Sequence, residues 1–232
     1  MAAAGIGQIV SLVVPSLIVL AAFYDAKTKD LKPGLLPVLA QFPLLWVGLL
    51  ATIVVVGRLR GESIRVLTVF RIAPRDTAYV LVGVALQFAG GIAYSLVGKA
   101  DDAGQSAKDL IDNTRNNTPG FFALAILVGV GAPLVEELFY RGLVARSLER
   151  FFLVQQQLIR KSPNPQWIAV FISALWFALI HLQPLQFPLL FVVGLVCAWL
   201  TLSRARLGPA IFVHMGFNVT TVVALGIELL RK

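Results

Sequence analysis

The chain has 232 residues, of which 58% are hydrophobic and 14% charged, where an ordinary soluble domain carries roughly 25% charged residues. With a mean hydropathy of +0.82, this is more apolar surface than a soluble fold of that length can bury, which excludes soluble enzymes and disordered chains. The formal net charge of +8 would suggest nucleic acid in a soluble protein; here it fits Lys and Arg flanking membrane spans, and no nucleic-acid partner is expected.

A membrane helix needs about 20 mostly apolar residues. The chain offers these at Gly5 to Tyr24, Gly34 to Val56, Thr77 to Gly98, Gly120 to Tyr140, Trp167 to Leu182, Leu185 to Leu202 and Pro209 to Leu230. The expected fold is therefore all-α, a polytopic transmembrane bundle of about seven helices, with six to eight as the range. The first stretch lacks a basic leading region and is longer than a signal-peptide core, so it reads as a retained helix. Gly57 to Asp76 and Leu143 to Lys161 mix arginines with Ile, Val, Leu and Phe. Each reads either as an amphipathic segment in the membrane interface or as a basic loop. The fifth and sixth stretches are short and nearly contiguous, which suggests a hairpin or a partly re-entrant pair.

Seven spans would put the N-terminus and the loops after spans two, four and six on one side, with 12 Lys and Arg against 8 on the other. The poorer side also carries an acidic loop with Asp101, Asp102, Asp109 and Asp112. The positive-inside rule assigns the richer side to the cytoplasm. Cys197 lies in an apolar run without a motif, and as the single cysteine it can form no intrachain disulfide.

Ionisable groups inside apolar spans are costly and point to function by default. Glu136 and Glu137 are adjacent and so project about 100° apart on a helix. Glu137 precedes Arg141 by four residues, the order that pairs well on a helix, which leaves Glu136 free. Pro133 removes a backbone donor and frees the carbonyl of Gly129, so a kink is expected just before the carboxylates. His214 and Asn218 share a helix face. Together they could donate to one developing oxyanion, or serve as polar glue between helices. His181 shares a face with Phe177. The set suits amide hydrolysis by a water that a carboxylate activates, and no HExxH motif is present. Counted from Trp167, His181 lies ~21 Å along the fifth span, whereas His214 is only ~8 Å into the seventh. A shared site then requires a deeper start or tilt of the fifth span, or a re-entrant hairpin.

Three short patterns occur in order: Glu136-Glu137-Leu138-Phe139-Tyr140-Arg141, Phe177-Ala178-Leu179-Ile180-His181 and His214-Met215-Gly216-Phe217-Asn218. They resemble the EExxxR, FxxxH and HxxxN motifs of the CAAX-protease and bacteriocin-processing family, the type II CAAX prenyl endopeptidases and their prokaryotic relatives. The run from Gly194 through Arg204, Gly208, Pro209 and Ile211 looks like the stretch that precedes the third motif. The resemblance covers about Gly120 to Val223. It implies a catalytic core over 120–223, preceded by membrane helices of uncertain role over 1–119 and followed by a helix end and tail over 224–232.

The same resemblance implies an intramembrane endopeptidase acting on a membrane-bound peptide or lipidated protein. Glu136 would be the general base, His181 its assistant, and His214 with Asn218 the oxyanion site. Glu137, Arg141 and Phe177 would support them. The site is expected in a conical membrane cavity nearer the cytoplasmic face. No cofactor is expected; the alternative is zinc on Glu136, His181 and His214. A non-catalytic scaffold or bacteriocin-immunity protein of the same fold is the competing function.

Overall fold

The computed structural model describes residues 24–25, 30–31, 35–159 and 164–231. The first expected span falls, Tyr24 apart, on residues outside these. A two-residue antiparallel ladder pairs Tyr24 with Leu31 and Asp25 with Asp30. Everything else that is regular among the described residues is helical. In lipid the backbone must satisfy its own polar groups, and a helix does so within one segment.

In chain order the helices are α1 Leu35–Arg60, the single turn α2 Ile64–Leu67, a 3₁₀ segment Pro74–Tyr79, α3 Val80–Leu96 and α4 Ala100–Asp112. A long composite helix follows: α5 Thr118–Ile126, a π segment Leu127–Gly131, α6 Ala132–Glu136, a second π segment Glu137–Ala145, and α7 Arg146–Ile159. Last come α8 Pro165–Ile180, α9 Phe187–Arg204 and α10 Gly208–Leu230. Five stretches are long and apolar enough to cross a membrane: Leu35–Arg60, Pro74–Leu96, Thr118–Gln157, Phe187–Arg204 and Gly208–Leu229.

Two expectations change, and the short fifth stretch holds. The fourth span does not stop at Tyr140, because the helix continues unbroken to Gln157 and takes in most of the second basic segment. The fifth is a helix of 16 residues, ~24 Å long and short of a ~30 Å hydrocarbon core. Asn164 caps its start, accepting from the Gln166 N–H at 3.0 Å, and the chain turns after His181 at Leu182, with φ +53°. α8 and α9 then run back to back as the expected hairpin. Finally, the acidic loop is the helix α4. Its Ala103 and Ile111 recur with helical spacing and are buried, Ile111 beside Leu124 and Val222.

Pro133 acts as its chemistry dictates. Lacking an N–H and crowding the carbonyl four residues back, it sits just past the first π segment. There the Ala132 N–H reaches back five residues to Leu127. The helix widens by a π turn at this point.

Three contacts gather the arginine-bearing connections on one side. Arg150 pairs with Glu62 at 3.0 Å, Arg146 Nε donates to the Leu67 carbonyl at 3.3 Å, and Arg206 pairs with Asp76 at 2.6 Å. The largest core cluster joins α1, the second π segment, α8 and α9 around Leu49, Ile53, Phe139, Val144 and Phe177. α3 meets α10 backbone to backbone. A Cβ on Gly83 would lie 1.9 Å from the Val213 carbonyl oxygen, and one on Gly216 would lie 2.2 Å from that of Val80. Small residues allow such close approach between membrane helices.

Candidate active site

The two carboxylates of the first motif straddle a change of helix type: Glu136 ends α6 and Glu137 opens the second π segment. π turns inside α-helices occur mainly at functional sites. Here the adjacent acids have different surroundings. Glu137 is fully buried, whereas the Glu136 side chain is 17% exposed. Glu137 Oε1 lies 3.0 Å from Arg141 Nη1, itself fully buried, and 2.9 Å from His214 Nδ1. His214 Nε2 faces Glu136 Oε2 at 4.0 Å. One imidazole therefore stands between the two carboxylates, its inner nitrogen fixed by the buried one. Such a contact sets both ring orientation and tautomer.

Phe177 organises the rest. Its ring centroid is 4.6 Å from that of His181 and 5.6 Å from that of His214, so the two histidines flank one phenyl ring. The guanidinium of Arg141 lies 4.2 Å from the same centroid, a cation–π geometry, and Tyr140 meets the ring edge-on at 5.3 Å. This answers the depth problem posed by the sequence, since α8 places Phe177 and His181 at its C-terminal end beside His214 on α10. At that end, His181 Nδ1 contacts the Phe177 carbonyl at 2.6 Å. With Nδ1–H donating there, Nε2 carries the lone pair.

Asn218 projects one turn beyond His214. Its Nδ2 donates to the Val128 carbonyl at 2.9 Å, inside the first π segment, leaving Oδ1 and the second N–H for other partners. The bond to Val128 and any further donation thus use the two N–H groups of one amide nitrogen.

Sequence reading missed three participants. Ser173 Oγ donates to the Tyr140 carbonyl at 3.1 Å, wholly buried; its spacing of one turn before Phe177 was the available signal. Tyr140 and the carbonyl of Gly194, which Arg141 Nη2 approaches at 3.5 Å, lay within the quoted runs without an assigned role. Among the described residues, Glu137 Oε2 and Arg141 Nε are buried without a hydrogen-bond partner, so the cluster has polar capacity beyond its internal pairs.

Among the described residues no three of His, Cys, Asp and Glu converge as a set able to hold a metal ion. A cavity of about 770 Å³ between α3 and α10 is lined by Val84, Phe88, Val223 and Ile227 among others. At 100° per residue it lies on the face of α10 opposite His214 and is separate from this cluster.

Residues 118–220 match the family model described as type II CAAX prenyl endopeptidase Rce1-like. That stretch contains all three motifs. No curated protein and no solved structure matches the chain.

Proposed function

We propose, from the premise that residues 118–220 carry the Rce1-like type II CAAX prenyl endopeptidase sequence, that this integral membrane protein is an intramembrane endopeptidase of glutamate type. The observation that carries the reading is the unequal environment of the two acids. Glu137 is buried against Arg141 and His214, while Glu136 stays partly open beside the second nitrogen of the same imidazole.

Glu136 takes a proton from water as the water oxygen bonds to the scissile carbonyl carbon. General-base help of this kind is worth ~10²–10⁴ in rate. His181, with its Nε2 lone pair, orients that water. With His214 protonated on both nitrogens, Arg141, His214, Glu136 and Glu137 sum to zero charge, and Nε2–H faces the reaction space. That N–H and the second amide N–H of Asn218 receive the oxyanion. Collapse of the tetrahedral intermediate breaks the C–N bond, and Glu136 returns its proton to the leaving amine. No step passes through a metal.

The substrate class is a membrane-associated, lipid-bearing peptide, with a prenylated CAAX-type C-terminus as the specific reading. The site is read as lying nearer the cytoplasmic side, a reading supported by the arginine-bearing connections that meet the start of α10, only ~9 Å before His214. The test is cleavage of a fluorogenic farnesylated CAAX peptide by the purified protein in detergent, beside Glu136→Ala, with and without a strong chelator. The expected result is cleavage that survives the chelator and is lost in the variant. Cleavage retained by Glu136→Ala would remove the assigned base, and cleavage lost to the chelator would overturn the metal-free mechanism. A membrane-stable protein that cleaves neither this peptide nor an unlipidated one would be the scaffold.

A further inference from the structure

The connection between α1 and α3 does more than cross the surface. Thr68 is fully buried and packs on Gly142, within the π segment that carries Glu137. One residue on, Val69 has φ +48°, a left-handed conformation that is an outlier for a β-branched residue. Its carbonyl accepts from the Leu207 N–H at 3.3 Å, and the Arg71 carbonyl accepts from the Gly208 N–H at 3.0 Å. These two bonds cap the start of α10, which carries His214 and whose own cap residue, Leu207, makes no side-chain hydrogen bond. A single segment therefore holds both elements whose separation sets the contact between Glu137 and His214.

The anchor of that segment is Asp76. Its carboxylate is fully buried, with Oδ1 on Arg206 Nη2 at 2.6 Å and Oδ2 accepting from the Ala73 N–H at 2.8 Å. It also fills the space a side chain at Gly208 would need, since a Cβ there would lie 2.1 Å from Oδ2. A negative charge at a helix N-terminus is favourable. A buried acid keyed to the first residue of α10 and to Arg206 in the preceding turn fixes both the height and the rotation of that helix.

Resting on the endopeptidase reading above, we propose that Asp76 is a positioning residue for the site. Through α10 it holds His214 in register with Glu137. A displacement of about 1 Å at a reacting centre costs on the order of 10²-fold in rate. Loosening this anchor is therefore expected to lower kcat tenfold to a hundredfold with KM little changed.

The experiment uses the full-length, untagged protein in detergent with ring-labelled histidine. His181 and His214 are the two histidines of the chain, so His181→Gln assigns both signals. In Asp76→Asn the His214 signal is expected to move while that of His181 stays, alongside the fall in kcat. Should Asp76→Asn fail to fold, Gly208→Ala presses on the same carboxylate and is expected to give the same selective shift. An unmoved His214 signal with wild-type kcat would overturn the proposal, as would equal displacement of both signals. If the wild type cleaves no peptide, the endopeptidase reading fails, and the histidine signals still decide whether Asp76 positions His214.

Discussion

Glu137 and His214 lie 77 residues apart in sequence and meet at 2.9 Å, both buried, with Arg141 on the same carboxylate oxygen at 3.0 Å. The pair joins the long composite helix to α10 and leaves Glu136 as the more open of the two acids, the one proposed to meet a substrate. The two adjacent glutamates should therefore fail in different ways.

Glu136→Ala is expected to lower kcat by ~10²–10⁴ with a smaller loss of Tm than Glu137→Ala, because its side chain is partly open and its contact with His214 Nε2 is a loose 4.0 Å. Glu137→Ala leaves Arg141 charged and unpaired in the interior, which costs about 3–5 kcal/mol. Thermal unfolding in detergent beside the cleavage assay separates the two; equal Tm losses would contradict the assignment.

Arg141→Lys keeps the charge but loses the planar fork and its stacking on Phe177, so the exchange is not conservative here. A stacked cation is worth about 0.5–2 kcal/mol, and a Tm drop of that order is expected, together with reduced cleavage. Restoration of both by Lys would show that charge alone matters at this position.

Phe177→Ala opens a cavity among His181, His214, Tyr140 and Arg141. Truncating a buried Phe costs about 3–5 kcal/mol. Phe177→Leu fills most of that space and is expected to keep the fold while lowering kcat, since both imidazoles lose the ring between them. Chemical denaturation with parallel kinetics reads both variants.

Asn218→Ala removes the bond to Val128 and the proposed oxyanion donor at once. Loss of one such donor costs ~10²–10³ in kcat, and a cost of that size with KM unchanged is the expected outcome. A lower Tm with normal turnover per folded molecule would make Asn218 helix glue only.

Gly216→Leu and Gly83→Leu should each force α3 away from α10. Overpacking costs typically 1–3 kcal/mol, and more is expected where the obstacle is a backbone carbonyl, as it is at both positions. Because α10 carries His214, cleavage should fall with Tm, which one thermal-shift series and one rate series would establish.

The sequence by itself determined the solvent, the element type and the chemical parts. Apolar runs near the thickness of a bilayer can satisfy their backbones only as helices, so spans two to four, six and seven were legible to within a few residues at most ends. Glu137 with Arg141 was legible because four-residue spacing on a helix is a local rule, and the three motifs marked which polar residues to compare. Only the tertiary structure decided what no local rule reaches. The fourth helix runs on past Tyr140 because amphipathic α7 continues its hydrogen-bond ladder, and two π segments, which have no clear sequence signature, re-aim its carboxylates. Phe177 became the centre of the cluster and His214 the partner of both glutamates because short α8 and long α10 carry them to one place. Asp76 and Gly208 acquired meaning only when the chain between α1 and α3 closed over the start of α10. Contacts between residues far apart in sequence depend on how helices pack, and packing is set by the whole bundle rather than by any one span.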